Sequence, residues 1–345
     1  MDQAELFTLA KKRMHNSCRI CKICNGITCA GELPGLGGIG TGNAFYRNWK
    51  SLQEYTVKDC NRGTRDFIPD THMTLFGQEV SMPIISAPVG SIAVNAGIQE
   101  ETPESIEDQY MHALIQGANA VGVMAMIGDG PQSYSFAVGM KYANLYPGNI
   151  ISIIKPRPDE VIIERGIMAK RLNEPAFGID ADASKLALMK TKGLNIENKS
   201  PKSLYRITQA VSLPFIVKGI MTVKEAIACE KVGVKAIVVG NHGGRILDTM
   251  KGAADVLPKI ADALQGRMTI LADGGIRSGE DVFRMLALGA DAVLIGRPVL
   301  FSVIGGGAEG VRISFQQWQN ELRRVMVRAG AENLKQITRQ MIQKI

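Results

Sequence analysis

The sequence predicts an α/β fold, a TIM-type (β/α)8 barrel preceded by an N-terminal cap segment. Three observations carry this. Short apolar, β-rich runs alternate with helix-like segments from residue 83 onward, and there are eight of them. The runs are largely apolar rather than alternating, as strands covered on both faces tend to be. Polar and charged residues gather just after several of the runs, on what would be one rim of a closed barrel. A doubly wound open sheet is the alternative, but it normally needs fewer strands.

Taken in order, residues 1–82 form the cap. They hold Cys18, Cys21, Cys24 and Cys29, then the glycine-dense Gly31–Gly42, then a mixed segment to Ser81 that includes Cys60. Their apolar content is too thin for an independent core. The Gly35–Gly42 stretch is no dinucleotide loop, because a cysteine-rich segment precedes it instead of an apolar strand. Residues 83–345 form the barrel with its C-terminal helices. The expected strands are Pro83–Ala87, Ala118–Met124, Ile150–Ile154, Ala176–Ile179, Pro214–Lys218, Ala236–Val239, Thr269–Ala272 and Ala292–Ile295. Between the later ones lie amphipathic pieces such as Thr222–Val232, with apolar residues at helical spacing. Residues 310–345 read as helical, with Phe315, Trp318, Leu322 and Met326 on one packing stripe.

Composition narrows the function classes. The chain has 345 residues and a formal net charge of +7, with Lys and Arg dispersed. No basic block alternates with aromatics, which argues against nucleic-acid binding. A mildly positive field suits anionic small molecules. No run of 18 apolar residues offers a membrane span. The N-terminal MDQAELFTLAKKRMHN lacks the apolar core of a secretory signal, so a cytoplasmic location is expected. The six cysteines are then thiols or metal ligands rather than a disulfide framework.

The chemistry-bearing residues fall at strand ends. Lys218 ends the fifth strand. Asn241-His242-Gly243-Gly244-Arg245 follows the sixth, Asp273-Gly274-Gly275-Ile276-Arg277 the seventh, and Gly296-Arg297-Pro298 the eighth. An imidazole takes a proton near neutral pH, and a guanidinium three residues on holds a carboxylate through two parallel hydrogen bonds. Base plus carboxylate clamp is what oxidation of a 2-hydroxy acid requires. The loops after strands seven and eight form the usual phosphate site of this barrel, with backbone N–H groups and arginines meeting the anion. Singly, Lys218 reaching solvent or Asp273 capping a helix would explain those residues as well.

These pieces resemble the FMN-dependent α-hydroxy-acid oxidase and dehydrogenase family, which includes glycolate oxidase and lactate oxidase. The matching segments are MPIISAPVG, VKGIMTVKEA, VVGNHGGRILD and ILADGGIRSGEDVFRMLALGADAVLIGRP. The resemblance implies FMN as cofactor, a small L-2-hydroxy acid such as lactate or glycolate as substrate, the 2-oxo acid as product, and a homo-oligomer, tetramer or larger. It further implies that Lys218 stabilises reduced flavin, that His242 is the general base and that Arg245 clamps the carboxylate. Asp273 would bind the ribityl chain, with Gly275, Arg277, Gly296 and Arg297 at the phosphate. Ala87 and Pro88 would present backbone to the flavin ring.

The pattern also departs from the family. Asp180 matches the fourth-strand aspartate, but no second arginine follows in GIDADASKLALMK, leaving Lys185 or Lys190 as substitutes. The third-strand tyrosine motif is replaced by Ile153-Ile154-Lys155-Pro156, the N-terminal tyrosine signature by Thr41-Gly42-Asn43, and the strand-two serine region reads Met124-Ala125-Met126. Cys18, Cys21, Cys24 and Cys29 suit an iron–sulfur cluster or zinc, with reduced structural thiols as the alternative. Cys60 stands isolated, and Cys229 reads as a core residue on a helix. Two competing functions remain. One is a non-redox FMN isomerase of the type 2 isopentenyl diphosphate isomerase kind, against which the His242/Arg245 pair argues. The other is a catalytically silent flavin- or metal-binding protein.

Overall fold

A computed structural model describes residues 1–15, 17–59, 67–185 and 195–345. Eight parallel strands close into a barrel: β4 (Ile84–Ser86), β5 (Ala125–Gly128), β6 (Ile150–Ile154), β7 (Phe177–Asp180), β8 (Phe215–Ile220), β9 (Ala236–Val239), β10 (Thr269–Asp273) and β11 (Ala292–Ile295). Each pairs with its sequence neighbour, and β11 pairs back onto β4 through Leu294 opposite Ile85. Side chains alternate across the strands as the pleat demands. Ile85, Met126, Ile151, Ile153, Ile216, Val238, Leu271 and Leu294 fill the barrel interior as one apolar cluster. Their neighbours Ile127, Phe177, Ile179, Val217, Ile237, Val239 and Val293 face outward into the shell of helices.

Seven of the eight expected strands stand where the sequence puts them, within a residue or two. The second does not. Ala118 and Asn119 are the last residues of α4 (Pro103–Asn119), and the chain turns through Gly122 (φ +67°) before β5 begins at Ala125. A mostly apolar run there hid a helix end, a turn and a strand start, which periodicity alone does not separate.

The helix over Val223–Lys231 has Thr222 as its N-cap in a reciprocal capping box with Glu225, as the expected Thr222–Val232 segment requires. The long C-terminal helix runs from Arg297 to Ala329, with a break at Gly307. Phe315, Trp318, Leu322 and Met326 are fully buried on it. The expected helix over 310–345 stops short: Gly330 in the left-handed region ends it, and short 3-10 turns and a strand follow.

The cap is stitched to the barrel along its length. α1 (Gln3–Arg13), closed by a capping box between Asp2 and Glu5, lays Phe7 edge-on against Phe301 of the long helix at 5.5 Å. β1 (Tyr55–Val57) pairs antiparallel with the last strand, Ile342–Lys344. A hairpin of β2 (Met73–Leu75) and β3 (Gln78–Val80) places Leu75 and Val80 in the barrel's interior cluster. Its turn, Phe76-Gly77, has positive φ at both residues, which matches the twist of a tight hairpin. Between α1 and β1 lies α2 (Asn43–Gln53), which sits over the loops following β9 and β10.

Candidate active site

The site is built from strand C-termini. β7 ends at Asp180, and a 3-10 turn carries Asp182 two residues on. β8 brings Lys218 to the same height and then bulges at Gly219, where the register with β9 shifts. Gly219 has φ +100°, and a Cβ there would lie 2.5 Å from the Asp182 carboxyl carbon. Only glycine lets strand and carboxylate meet this closely. After β9, His242, Gly243 and Gly244 all take positive φ, in a left-handed loop that turns the imidazole back over the barrel mouth. Histidine tolerates this region better than most residues.

The His242 side chain is 19% exposed, and its Nδ1 lies 3.0 Å from Asp182 and 3.3 Å from Asp180. Ionised carboxylates only accept, so Nδ1 carries the proton and Nε2 keeps the lone pair. Among the described residues Nε2 has no hydrogen-bond partner. Burial by itself lowers the pKa of His242, but the two carboxylates outweigh it and hold the imidazole above its ordinary value. Asp180 is fixed as the anion: burial opposes this, and His242, Lys155 and Lys218 overcome it. Asp182 is raised by burial and by the neighbouring Asp180.

Lys155 follows β6 and reaches Asp180 at 2.7 Å; Lys218 lies 3.1 Å from Asp273 and 3.7 Å from Asp180. Burial works against the Lys218 charge, yet Asp273 and Asp180 keep it protonated well above the ordinary lysine value. Ligand atoms of Asp180, Asp182 and His242 gather within 4.8 Å of one another, a spacing that would suit a cation. Lys155 and Lys218 already supply positive charge there, so the carboxylates serve to orient and charge the imidazole.

A cavity of about 150 Å³ opens above this network. It brings together Ala87, Pro88, Lys218, His242, Arg245, Asp273, Gly296 and Arg297 of the residues singled out from sequence. Gly275 and Arg277 do not line it. Gly275 packs on the Asn48 backbone of α2, and Arg277 faces a neighbouring cavity beside Cys21 and Cys24. Arg245 does not stand free at the rim. Its Nη1 donates to the Gly35 carbonyl at 2.6 Å, and its Nη2 lies 3.4 Å from Asn95. Burial and the nearby Arg297 push it down to about 10, still charged at neutral pH. Arg297 stacks 3.8 Å over the Phe45 ring and donates to the carbonyls of Leu36, Gly37 and Gly243. The Lys185 side chain, Lys190 and Cys60 lie outside the described residues.

Four residues to which sequence reasoning gave no role belong to the candidate site. Asp182 and Lys155 obey the same strand-end rule as Lys218, and that rule was the available signal. Asn241 is fully buried; its Oδ1 accepts from Asn48 and Gly244, and its Nδ2 donates to the Lys251 carbonyl. It thereby clamps the His242 loop to α2. Asp129, after β5, accepts from the Lys155 backbone and the Arg157 side chain, each at 2.8 Å, and pairs with Arg165. Asn241 stands in the named loop without a role, and Asp129 follows a strand that the sequence reading places several residues too early.

The donor set suits an anionic, phosphate-bearing flavin. Four cations line the cavity against one lining carboxylate, Asp273. In the neighbouring cavity the buried Arg277 Nη2 has no hydrogen-bond partner among the described residues. At Gly296 a Cβ would meet nothing nearer than Ala87 at 3.6 Å, so no side chain crowds that turn. Pockets for cofactor-sized ligands are about 300 Å³ or more, and the Gly35–Gly37 carbonyls are what crowds the arginine side of this one.

Comparison with known proteins agrees with this chemistry. The family model described as FMN-dependent dehydrogenase matches residues 158–344, just over half of the chain. An L-lactate dehydrogenase of Pseudomonas putida is 49% identical over 126 residues, which is 36% of this chain and 33% of that protein. An L-lactate oxidase of Lactobacillus jensenii is 36% identical over 167 residues, 48% of this chain and 41% of that one. A peroxisomal (S)-2-hydroxyacid oxidase of Arabidopsis thaliana is 40% identical over 138 residues, 40% of this chain and 38% of the relative. These alignments thus span between a third and two-fifths of the curated relatives' lengths. A crystal structure of mandelate oxidase superposes with a TM-score of 0.80 at 24% identity, covering 99% of this chain and 97% of that one, and shows the same fold. Barrel, strand-end loops and the match over 158–344 together place this chain in the FMN-dependent dehydrogenase family.

Proposed function

We propose that this protein oxidises a small L-2-hydroxy acid to the 2-oxo acid with FMN, as an oxidase or a dehydrogenase. The observation that carries the proposal is His242: its Nδ1 is held by Asp180 and Asp182, while Nε2 is left for a ligand in a cationic cavity. Converting the alcohol to the ketone removes two electrons and two protons. FMN, when bound, would supply the acceptor of the two electrons and of one of the protons. His242 takes a substrate proton at Nε2, and the imidazolium so formed is stabilised by the two carboxylates. Arg245 and the net positive lining hold the substrate carboxylate. Lys155 matters indirectly: by neutralising Asp180 it keeps that carboxylate from repelling an anionic substrate. Lys218 supplies buried positive charge for the reduced cofactor, with Asp273, Gly296 and Arg297 on the ribityl and phosphate side.

A homo-oligomer of four or more subunits and a cytoplasmic location belong to the same proposal. What supports the latter is that no helix among the described residues is long and apolar enough to cross a membrane. Light scattering on the purified protein tests the former. The decisive test of the activity is an anaerobic visible spectrum before and after adding a panel of L-2-hydroxy acids. Bleaching of the flavin bands by one member is the expected result. A flavin spectrum that no member bleaches would refute the reading.

A further inference from the structure

The cysteine-rich loop is not used by the chemistry above, yet it has the features of a metal-cluster site. Four cysteines fall within twelve residues between α1 and α2, and all are free thiols; Cys18 is buried and the others half-buried. The segment has no helix or strand of its own. Its shape comes from tight turns, with Ile20 at φ +44° and Gly26 at φ +84° between successive cysteines. The Ile20 N–H donates to the Cys18 Sγ at 3.5 Å. A backbone amide turned onto the sulfur two residues earlier is the hydrogen bond that stabilises a ligating thiolate. Cys21 and Cys24 line one cavity, and Cys18 and Cys29 flank them in the same loop.

Four thiolates can hold tetrahedral zinc or an iron–sulfur core, and such a core with its thiolate ligands carries net negative charge. The surroundings suit its negative charge. Arg277 donates to the Cys24 carbonyl at 3.2 Å, and Cys24 and Cys29 both lie in the field of Arg297. A cavity lined by Cys21, Cys24, Lys22 and Arg277 adjoins the loop and leaves room beside the thiols.

We propose that Cys18, Cys21, Cys24 and Cys29 ligate one iron–sulfur cluster of the four-iron, four-sulfide class, seated against the loops that follow β10 and β11. The assignment does not depend on the hydroxy-acid reading, because its readout is metal rather than turnover. The test is to purify the full chain anaerobically, reconstitute it with ferrous iron and sulfide, and measure iron, acid-labile sulfide and zinc per chain. Broad visible absorption that survives flavin removal and a paramagnetic signal after dithionite reduction complete the readout. About four irons and four sulfides per chain are expected. Cys24→Ser should lose them with its far-ultraviolet circular dichroism intact, while Cys229→Ser, in the helix over Val223–Lys231, keeps them. If Cys24→Ser does not fold, the stoichiometry of the parent chain decides. One zinc per chain without sulfide, no iron retained after reconstitution, or iron content indifferent to Cys24→Ser would each overturn the assignment.

Discussion

Replacing His242 by Asn tests the proposed base with the least disturbance to the backbone. His242 sits at φ +57°, where most residues are strained. Asparagine shares histidine's tolerance of that region, so the left-handed loop survives. The substitution removes Nε2, the atom without a protein partner, and the Nδ1–H held by Asp180 and Asp182 at 3.3 and 3.0 Å. Asp180 still has Lys155 at 2.7 Å and Lys218 at 3.7 Å, so it remains compensated. Asp182 loses its partner, but burial already raises its pKa and it can take a proton instead. The fold therefore tolerates the change, and the loss is confined to proton transfer. A positioned general base contributes about 10²–10⁴ in rate, or roughly 3–5 kcal/mol of barrier. Anaerobic stopped-flow bleaching of the flavin by the best 2-hydroxy acid should slow by that factor, with flavin content unchanged. A rate within about tenfold of the parent, with flavin still bound, would mean that His242 is not the base.

The pH dependence has a definite sign. His242 must be neutral to accept a proton and its pKa is raised, so kcat/KM should climb with pH through an inflection above 6.5. Asp182→Asn removes one of the two raising carboxylates and should move that inflection down; a pH–rate profile that does not shift rejects the coupling. Lys218→Met leaves the buried Asp180 and the half-buried Asp273 with one fewer cation and should cost about 3–5 kcal/mol in denaturant unfolding, with reduced flavin content. An equally stable variant would show that the pairs carry little. Glu174, buried and accepting from the Ser152 N–H and hydroxyl, is raised from 4.5 to about 8, mainly by burial. A carboxyl raised on folding opposes folding increasingly as pH rises from 4.5 to about 8, by at most ~5 kcal/mol. Glu174→Gln should flatten the fall in melting temperature over that window, and an unchanged pH profile would refute the assignment.

The barrel was legible because its signals are local. A parallel strand covered on both faces is apolar along nearly its whole length, and Ala236–Val239 and Ala292–Ile295 show this within four residues. The Thr222–Glu225 capping box is likewise complete within a single turn. The signal failed at Ala118–Met124, where the apolar character of a helix end and of a strand start run together across a turn. It failed again past Gly330, where a left-handed residue ended a helix whose polar continuation still carried helical spacing.

Site residues followed the same division between local and distant causes. Strand-end position identifies Lys218, His242, Asp273 and Arg297, since the rim of a barrel is where side chains meet a ligand. What each of them does is decided by partners far along the chain. His242 gains its charge from carboxylates about sixty residues earlier, Arg245 spends a donor on Gly35, and Arg297 is embraced by Leu36, Gly37 and Phe45. Asn241 shows the cost of reading only neighbours. It looks like a turn residue, yet it is fully buried and bonded to Asn48, which holds the His242 loop against α2. A single sequence can place a group on the rim, because that needs only the period of the strand. It cannot say whether the group points at a ligand or at the cap, because that depends on which carbonyl or carboxylate the folded chain brings within three ångströms.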